Sequence, residues 1–191
     1  MCSSDLQNKG TLAEDTKVNL YFEDVEEEST WESIGQKGSY NCIIAHYLLE
    51  FIKDREVFLE RIANALASGG MCSVNGANVS REHGFWQEIF EKLQLETEFL
   101  IERGAKSIRK REEFLAFLSG CFSKVETVSL ESWMRYTDAA EVFAYLLERY
   151  PEERKCLTEK EAVLKEFFTS EIKEKGAFFL PKSTDFQHCF K

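Results

Sequence analysis

The stretch that decides the fold runs from Ser39 to Gly76 and reads SYNCIIAHYLLEFIKDREVFLERIANALASGGMCSVNG. Its first part, Tyr40 to Ala45, is an apolar run of the kind found in parallel strands that are buried on both faces. Asp54 is a good helix N-cap, and apolar residues then recur at helical spacing. Gly69 and Gly70 end this helix in the manner of a C-terminal glycine, and a second strand follows at Met71–Val74. The order strand, helix, strand predicts a βαβ unit.

The rest of the chain continues this alternation. The other predicted elements are strands at Val18–Phe22 and Phe122–Met134, helices at about Arg81–Leu95, Arg111–Leu118, Thr137–Arg149 and Thr158–Glu174, and two closing segments, Ala177–Leu180 and Phe186–Phe190, that form either a hairpin-like pair or one interrupted strand. We therefore predict an α/β fold with a Rossmann-like, doubly wound, mainly parallel sheet and flanking helices. The chain is expected to be one domain, residues 1–191, with helical cover at about 81–120 and 135–175.

Composition narrows the functions that this chain can have. Its formal net charge of -10 disfavours nucleic acid or an anionic membrane as the main partner, because both repel an acidic protein. One basic stretch, Arg103–Arg111, is more typical of a solvated helix start or loop than of a binding site. The six cysteines form no C-x-x-C pair and the three histidines are dispersed, so no metal site is predicted. No apolar run is long enough for a membrane span and no signal peptide is evident, so a cytoplasmic protein is expected.

In an open parallel sheet, ligands bind beyond the carboxyl ends of the strands, which directs attention to Asp5, Asp24 and Ala45–His46. Here the segment Tyr40–Asp54 resembles the fourth-strand motif of class I S-adenosylmethionine-dependent methyltransferases. It has an aromatic residue, an apolar strand, a small residue and a leucine-rich turn that ends in Asp. ALASGGMCSV is similar to the next helix end and fifth strand of that family, VNLYFEDVEE to its third strand, and CSSDL to the end of its second strand. The remainder of the chain, from REEFLAFLSGCFSKVET onwards, is similar to the sixth strand, lid helices and seventh strand.

This resemblance implies a cofactor site for S-adenosylmethionine. Asp5 would accept hydrogen bonds from the ribose hydroxyls, and such charge-assisted bonds are the stronger kind. Asp24 would accept from the adenine amine, and the Val25 backbone N–H would donate to a ring nitrogen. Ala45 and His46 would lie near the sulfonium. Each of these positions also has a simpler interpretation, since Asp5 and Asp24 are equally compatible with solvated surface acids and His46 with a satisfied structural histidine.

The acceptor is expected to be a small molecule. Trp86, Trp133 and Tyr136 are candidates for the wall of its pocket, although aromatic residues at helical spacing more often belong to the core. Histidine is the residue type used most often as a general base, and His46 is the candidate catalytic residue. Methyl transfer needs no enzyme nucleophile, because alignment and exclusion of water supply much of the rate.

Three features depart from the family pattern. No Gly-x-Gly occurs, so the fold is expected to be N-terminally incomplete, without the first strand and its glycine-rich loop. Asn41 stands where an acid is usual, and Ser68 stands where a proline is usual. Two other interpretations therefore remain open: a non-catalytic methyltransferase-fold remnant that serves as a binding or scaffolding module, and a nicotinamide-dependent oxidoreductase, which the missing pyrophosphate fingerprint disfavours. An unpaired sheet edge is also compatible with a homo-oligomer.

Overall fold

The computed structural model describes residues 24–34, 38–77 and 79–191, and they form a mixed α/β structure. In chain order the elements are helix α1 (Glu28–Ile34), strand β1 (Tyr40–Ala45), helix α2 (Arg55–Ala65), strand β2 (Leu66–Ala77), helices α3 (Ser80–Lys92) and α4 (Glu98–Cys121), strand β3 (Lys124–Tyr136), helix α5 (Ala139–Arg149), a 3₁₀ turn (Pro151–Glu153), helices α6 (Arg154–Glu159) and α7 (Glu161–Lys175), and strand β4 (Phe178–Phe190). The predicted strand Val18–Phe22 lies outside the described residues.

Within the described residues the four strands form one sheet in the order β1-β2-β4-β3. β1 and β2 pair in parallel, and β4 pairs antiparallel with both β2 and β3. The prediction of alternating strands and helices is therefore confirmed, but the sheet is mixed rather than mainly parallel. The reason is that β4 enters the sheet between β2 and β3, running opposite to both, which sequence patterning along single strands does not reveal. β1 was predicted to be buried on both faces, and this is wrong: within β1 only Ala45 is buried.

The helix ends follow the expected local chemistry. Asp54 caps α2 by accepting a hydrogen bond from the Val57 backbone N–H at 3.0 Å, and Asp138 caps α5 through the Ala140 N–H. Gly176 ends α7 in the left-handed conformation, with a φ of 77°, which only glycine adopts without strain. Gly70 has a different reason to be glycine, because a Cβ there would lie 2.9 Å from the Tyr40 carbonyl oxygen of the paired strand.

Three elements are longer than predicted. β2 begins at Leu66, so α2 ends at Ala65, and Gly69 and Gly70 lie inside the strand instead of ending the helix as predicted. α4 begins at Glu98 and includes the whole basic stretch, because its buried Leu100 and Leu118 pack into different clusters and hold both ends of the helix. The two closing segments form one continuous strand, β4, in spite of Pro181. Pro181 is tolerated because β2 pairs with β4 only from Thr184 onwards, so only β3 pairs with β4 at the proline.

Two clusters of buried apolar residues hold these elements together. The sheet cluster joins β1, β2 and β4 to α2 and α4, and it comprises Ala45, Leu49, Ile52, Phe58, Leu59, Ile62, Leu66, Cys72, Val74, Leu118, Phe122 and Cys189. The helical cluster joins α3, α5 and α7 to the start of β4, and it comprises Trp86, Ile89, Phe90, Leu100, Val142, Phe143, Leu146, Tyr150, Leu157, Leu164, Phe168, Phe178 and Leu180. The sheet cluster is the one that positions the strand ends.

Candidate functional site

A cavity of about 500 Å³ lies at the carboxyl ends of β1 and β2, between the sheet and α4. We call it the strand-tip cavity; it is lined by Tyr47, Leu49, Glu50, Arg55, Asn75, Gly76, Val79, Ser107, Lys110, Arg111, Phe114, Thr184, Asp185 and Gln187. Its volume is in the range of small-molecule sites, and an open α/β sheet places ligands at this edge.

The loop after β1 forms one wall of the cavity and is held in place by polar contacts. The Tyr47 backbone N–H donates to Oδ1 of Asn75, which is buried at the end of β2. Tyr47 itself has a positive φ of 55°, so this side-chain bond fixes a turn that a non-glycine residue adopts rarely. Arg55 Nε donates to the Leu49 carbonyl oxygen at 2.7 Å and ties the same loop to the start of α2.

β4 supplies the floor of the cavity through Asp185 and Gln187, each 2% exposed. Asp185 is fully engaged, since Arg111 Nε donates to its Oδ2 at 2.6 Å and Ser129 Oγ donates to its Oδ1 at 2.7 Å. Gln187 differs, because its buried Oε1 has no hydrogen-bond partner within the described part of the chain. Such orphaned buried acceptors are uncommon in native structures.

The cavity carries more positive than negative side chains. Arg55, Lys110 and Arg111 line it, against Glu50 and Asp185. Lys110 makes no ion pair with any residue in the described ranges. The lining of the cavity therefore carries a net positive charge, although the formal net charge of the chain is -10.

Asp24 and Val25, two predicted cofactor residues, lie in a turn that is anchored beside the loop after β1. The exposed Asp24 carboxylate accepts from the Glu26 backbone N–H through Oδ1 at 2.9 Å. Glu26 in turn accepts from the Lys53 backbone N–H at 2.7 Å and, through its carbonyl oxygen, from Arg61 at 2.8 Å. Val25 packs against the sheet cluster, which includes Ala45. No hydrogen bond links Asp24 Oδ2 or the Val25 N–H to another described residue.

Ala45 and His46 end β1 as predicted, but they face different surroundings. Ala45 is 5% exposed and belongs to the sheet cluster. His46 Nε2 lies 2.8 Å from Ser73 Oγ, and its ring contacts Phe186 edge-on at 4.9 Å. Because Phe186 alternates with Gln187 along β4, the His46 ring lies on the sheet face opposite the Gln187 side chain. His46 remains a prediction as a catalytic residue, and it does not line the strand-tip cavity.

The three predicted pocket aromatics lie apart from the cavity. Trp86 is fully buried in the helical cluster, where it stacks on Phe178 with ring centroids 6.0 Å apart. Trp133 is 54% exposed on β3, with the Arg81 guanidinium 4.8 Å above its ring. Tyr136 is half-buried at the end of β3. None of the three lines the strand-tip cavity, so their acceptor role stays a prediction. Asp5 lies outside the described residues.

A second cavity of about 410 Å³ adjoins the first, and Val79 and Thr184 border both. At its base the 2% exposed Glu82 carboxylate accepts from Tyr145 Oη at 2.7 Å and Arg149 Nε at 3.1 Å through Oε1, and from Lys182 Nζ at 2.7 Å through Oε2. Burial alone would raise the pKa of Glu82, but the hydrogen bonds from Lys182 and Tyr145 and the charge of Arg149 outweigh it and lower that pKa. The carboxylate therefore stays ionised as a structural anchor.

None of the residues that line the strand-tip cavity was predicted from the sequence as a site residue, and none of the predicted site residues within the described ranges lines it. The available signal was the basic stretch of α4, whose Ser107, Lys110, Arg111 and Phe114 recur at helical spacing and share one face. That spacing becomes informative only once α4 is known to be one helix. Gln187 had no sequence signal, because a glutamine in a strand is unremarkable until its burial is known.

Comparison with known proteins gives a limited result. No family model and no curated protein matches the chain. Among solved structures it is similar to phosphoethanolamine N-methyltransferase 2 of Haemonchus contortus in complex with phosphomonomethylethanolamine and S-adenosylhomocysteine, with a TM-score of 0.34 and 15% identity over 82% of this chain and 34% of that chain. It is also similar to the MccD protein, with a TM-score of 0.34 and 14% identity over 82% of this chain and 63% of that chain.

A third similar structure is a putative sarcosine dimethylglycine methyltransferase from Galdieria sulphuraria, with a TM-score of 0.28, 14% identity and coverage of 81% of this chain and 54% of that chain. The chain thus spans between about a third and somewhat under two thirds of these proteins. At these scores and identities, the similarity says nothing about the activity of this chain. In residues 24–34, 38–77 and 79–191 no helix has the length and apolar character to cross a membrane, and no group of acidic, cysteine and histidine side chains is arranged to hold a metal.

Proposed function

We propose that this chain functions in an S-adenosylmethionine-dependent methyltransferase domain that acts on an oxygen, nitrogen or carbon nucleophile of a small-molecule acceptor. The observation that carries the proposal is the joint placement of the residues singled out by sequence resemblance. Glu26, in the same turn as Asp24 and Val25, accepts from the Lys53 backbone N–H in the loop that follows β1, and Val25 packs against the sheet cluster, which includes Ala45. In this proposal the Asp24 carboxylate accepts from the adenine amine and the Val25 N–H donates to a ring nitrogen.

The strand-tip cavity supports a small acceptor. It lies next to the same loop, and its lining combines apolar side chains such as Leu49 and Phe114 with a few polar groups, as small-molecule sites do. The cofactor would supply the methyl group by in-line displacement at its sulfonium. The work left to the chain is to align the acceptor and to exclude water.

Binding of S-adenosylhomocysteine to the full chain, measured by isothermal titration calorimetry, tests the proposal. We expect saturable binding, and we expect Asp24→Ala to weaken it at least tenfold because the adenine amine loses its acceptor. Asp138→Ala is the matched control, since Asp138 is also an exposed carboxylate that accepts from the backbone N–H two residues later. Absence of binding, or equal affinity in both variants, would argue against the proposal.

One observation favours a second candidate, a non-catalytic binding or scaffolding module with this fold. No two glycines in these 191 residues are separated by a single residue, whereas the methyltransferase loop at the amino-acid end of the cofactor has that spacing. In that case the chain would fold stably, giving a cooperative thermal transition, and the titration would show no heat of binding.

A further inference from the structure

The orphaned oxygen of Gln187 points to a ligand in the strand-tip cavity. The side chain is 2% exposed, it lines the cavity, and its Oε1 has no partner among the described residues. A buried carbonyl oxygen without a donor is costly, and a ligand O–H or N–H in the cavity would satisfy it.

The charges of the cavity specify a second feature of that ligand. Lys110 lines the cavity and has no ion-pair partner in the described parts of the chain, whereas Asp185 is already held by Arg111 and Ser129. Arg55, at the start of α2, adds a second cation to the lining. Because a locally positive cavity in an acidic protein concentrates anions, the ligand is expected to carry a negative group.

The remaining lining sets the body of the ligand. Tyr47, Leu49 and Phe114 present apolar surface, and a volume of about 500 Å³ holds a molecule of one or two rings. We propose that the strand-tip cavity binds a small organic acid with an apolar body and one hydroxyl or amino group, whose O–H or N–H donates a hydrogen bond to Gln187 Oε1. That this ligand is the methyl acceptor rests on the function proposed above; the binding site itself does not.

A matched series of probes tests each group of the ligand by NMR titration of the full chain without cofactor. 4-Hydroxybenzoate has both groups, benzoate lacks the donor, 4-methoxybenzoate has the donor blocked, phenol lacks the acid, and 4-hydroxyphenyl phosphate replaces the carboxylate by a phosphate. We expect 4-hydroxybenzoate or its phosphate analogue to bind at least tenfold more tightly than the other three. The tighter of these two acids identifies the anionic group.

Two variants with controls assign the contacts. Gln187→Leu is expected to reduce 4-hydroxybenzoate affinity to that of benzoate, to leave benzoate affinity unchanged, and to leave the melting temperature equal or higher because the orphaned oxygen is gone. Gln87→Leu, on α3 and outside the cavity, should change neither affinity. Lys110→Ala should weaken the binding of 4-hydroxybenzoate and of benzoate but not that of phenol. Lys106→Ala is its control, because Lys106 lies one turn earlier on α4 and does not line the cavity, and it should change none of these affinities.

The outcomes separate this inference from the proposed function. The inference would be overturned if neither 4-hydroxybenzoate nor 4-hydroxyphenyl phosphate bound, or if wild type and Gln187→Leu bound 4-hydroxybenzoate equally well. Either result would count whatever the cofactor titration shows. Binding of the acids together with no binding of S-adenosylhomocysteine would uphold the site and remove the methyltransferase function. Binding of both, with loss in Gln187→Leu, supports the two together.

Discussion

Single buried side chains hold several elements of this molecule together, and Glu82 is the clearest case. Its carboxylate is 2% exposed and is held by Lys182, Arg149 and Tyr145, which come from β4 and α5. Removing the charge leaves two cations without their partner. We expect Glu82→Gln to lower the free energy of unfolding by about 3 kcal/mol, measured by urea denaturation at pH 7.

Glu131→Gln serves as its control, because Glu131 pairs with Arg81 at 2.8 Å with its side chain 64% exposed. That change should cost about 0.5 kcal/mol or less. Equal losses in the two variants would contradict the anchoring role of Glu82. Since the pKa of Glu82 is lowered in the folded state, its contribution is present above its ordinary value of 4.5 and is lost as the pH falls through the folded pKa.

At the scale of elements, the contact between β1 and β2 sets the position of the cavity. The strands approach closely at Gly70, where an added Cβ would lie 2.9 Å from the backbone oxygens of both Tyr40 and Ala67. Backbone atoms cannot move aside as a flexible side chain does. We expect Gly70→Ala to destabilise the fold by about 2 kcal/mol, measured by urea denaturation.

Gly120→Ala is the matched glycine control, since a Cβ there would meet nothing within 4 Å near the end of α4. Alanine is the better helix former, so this variant should be more stable by up to about 1 kcal/mol. Equal stability of Gly70→Ala and Gly120→Ala would contradict the close approach of the two strands at Gly70.

At the scale of the whole molecule, stability is expected to fall on acidification for a reason that lies at His83. The ring is buried, with Nδ1 2.9 Å from Tyr150 Oη, and burial followed by the charge of Arg149 lowers its pKa below the ordinary value of 6.5. The neighbouring charges act on this pKa in opposite directions, because the negative charge of Glu82 raises it and the positive charge of Arg103 lowers it further. The unfolded chain therefore binds the proton first, and stability is lost as the pH falls below 6.5 towards the folded pKa.

His83→Asn keeps a polar partner for Tyr150 and removes the titration. We expect urea denaturation between pH 7.5 and 5 to show a smaller loss of stability in this variant than in wild type. The comparison with wild type matters because acidification makes the net charge of -10 less negative. This relieves self-repulsion and stabilises the fold, which opposes the loss of stability expected from His83. Identical slopes in the two proteins would contradict the role of His83.

The sequence by itself determined the local features of this protein. The β1-α2-β2 order, the Asp54 cap and the Gly176 helix end all depend on residues within a few positions of one another, so spacing and side-chain type were sufficient. The resemblance to a methyltransferase motif depends on the same short stretch. For that reason the strand end was predicted correctly: Ala45 is the last residue of β1, and His46 follows it.

Tertiary structure alone decided the mixed sheet and the cavity. β4 lies between β2 and β3 because of long-range register, which no local pattern encodes. That register brings Gln187, nearly at the end of the chain, beside the loop after β1 and the basic face of α4. Whether a residue can bind a ligand depends on its burial and on the groups that packing places beside it. For this reason Gln187 and Lys110 could be recognised only in the folded molecule.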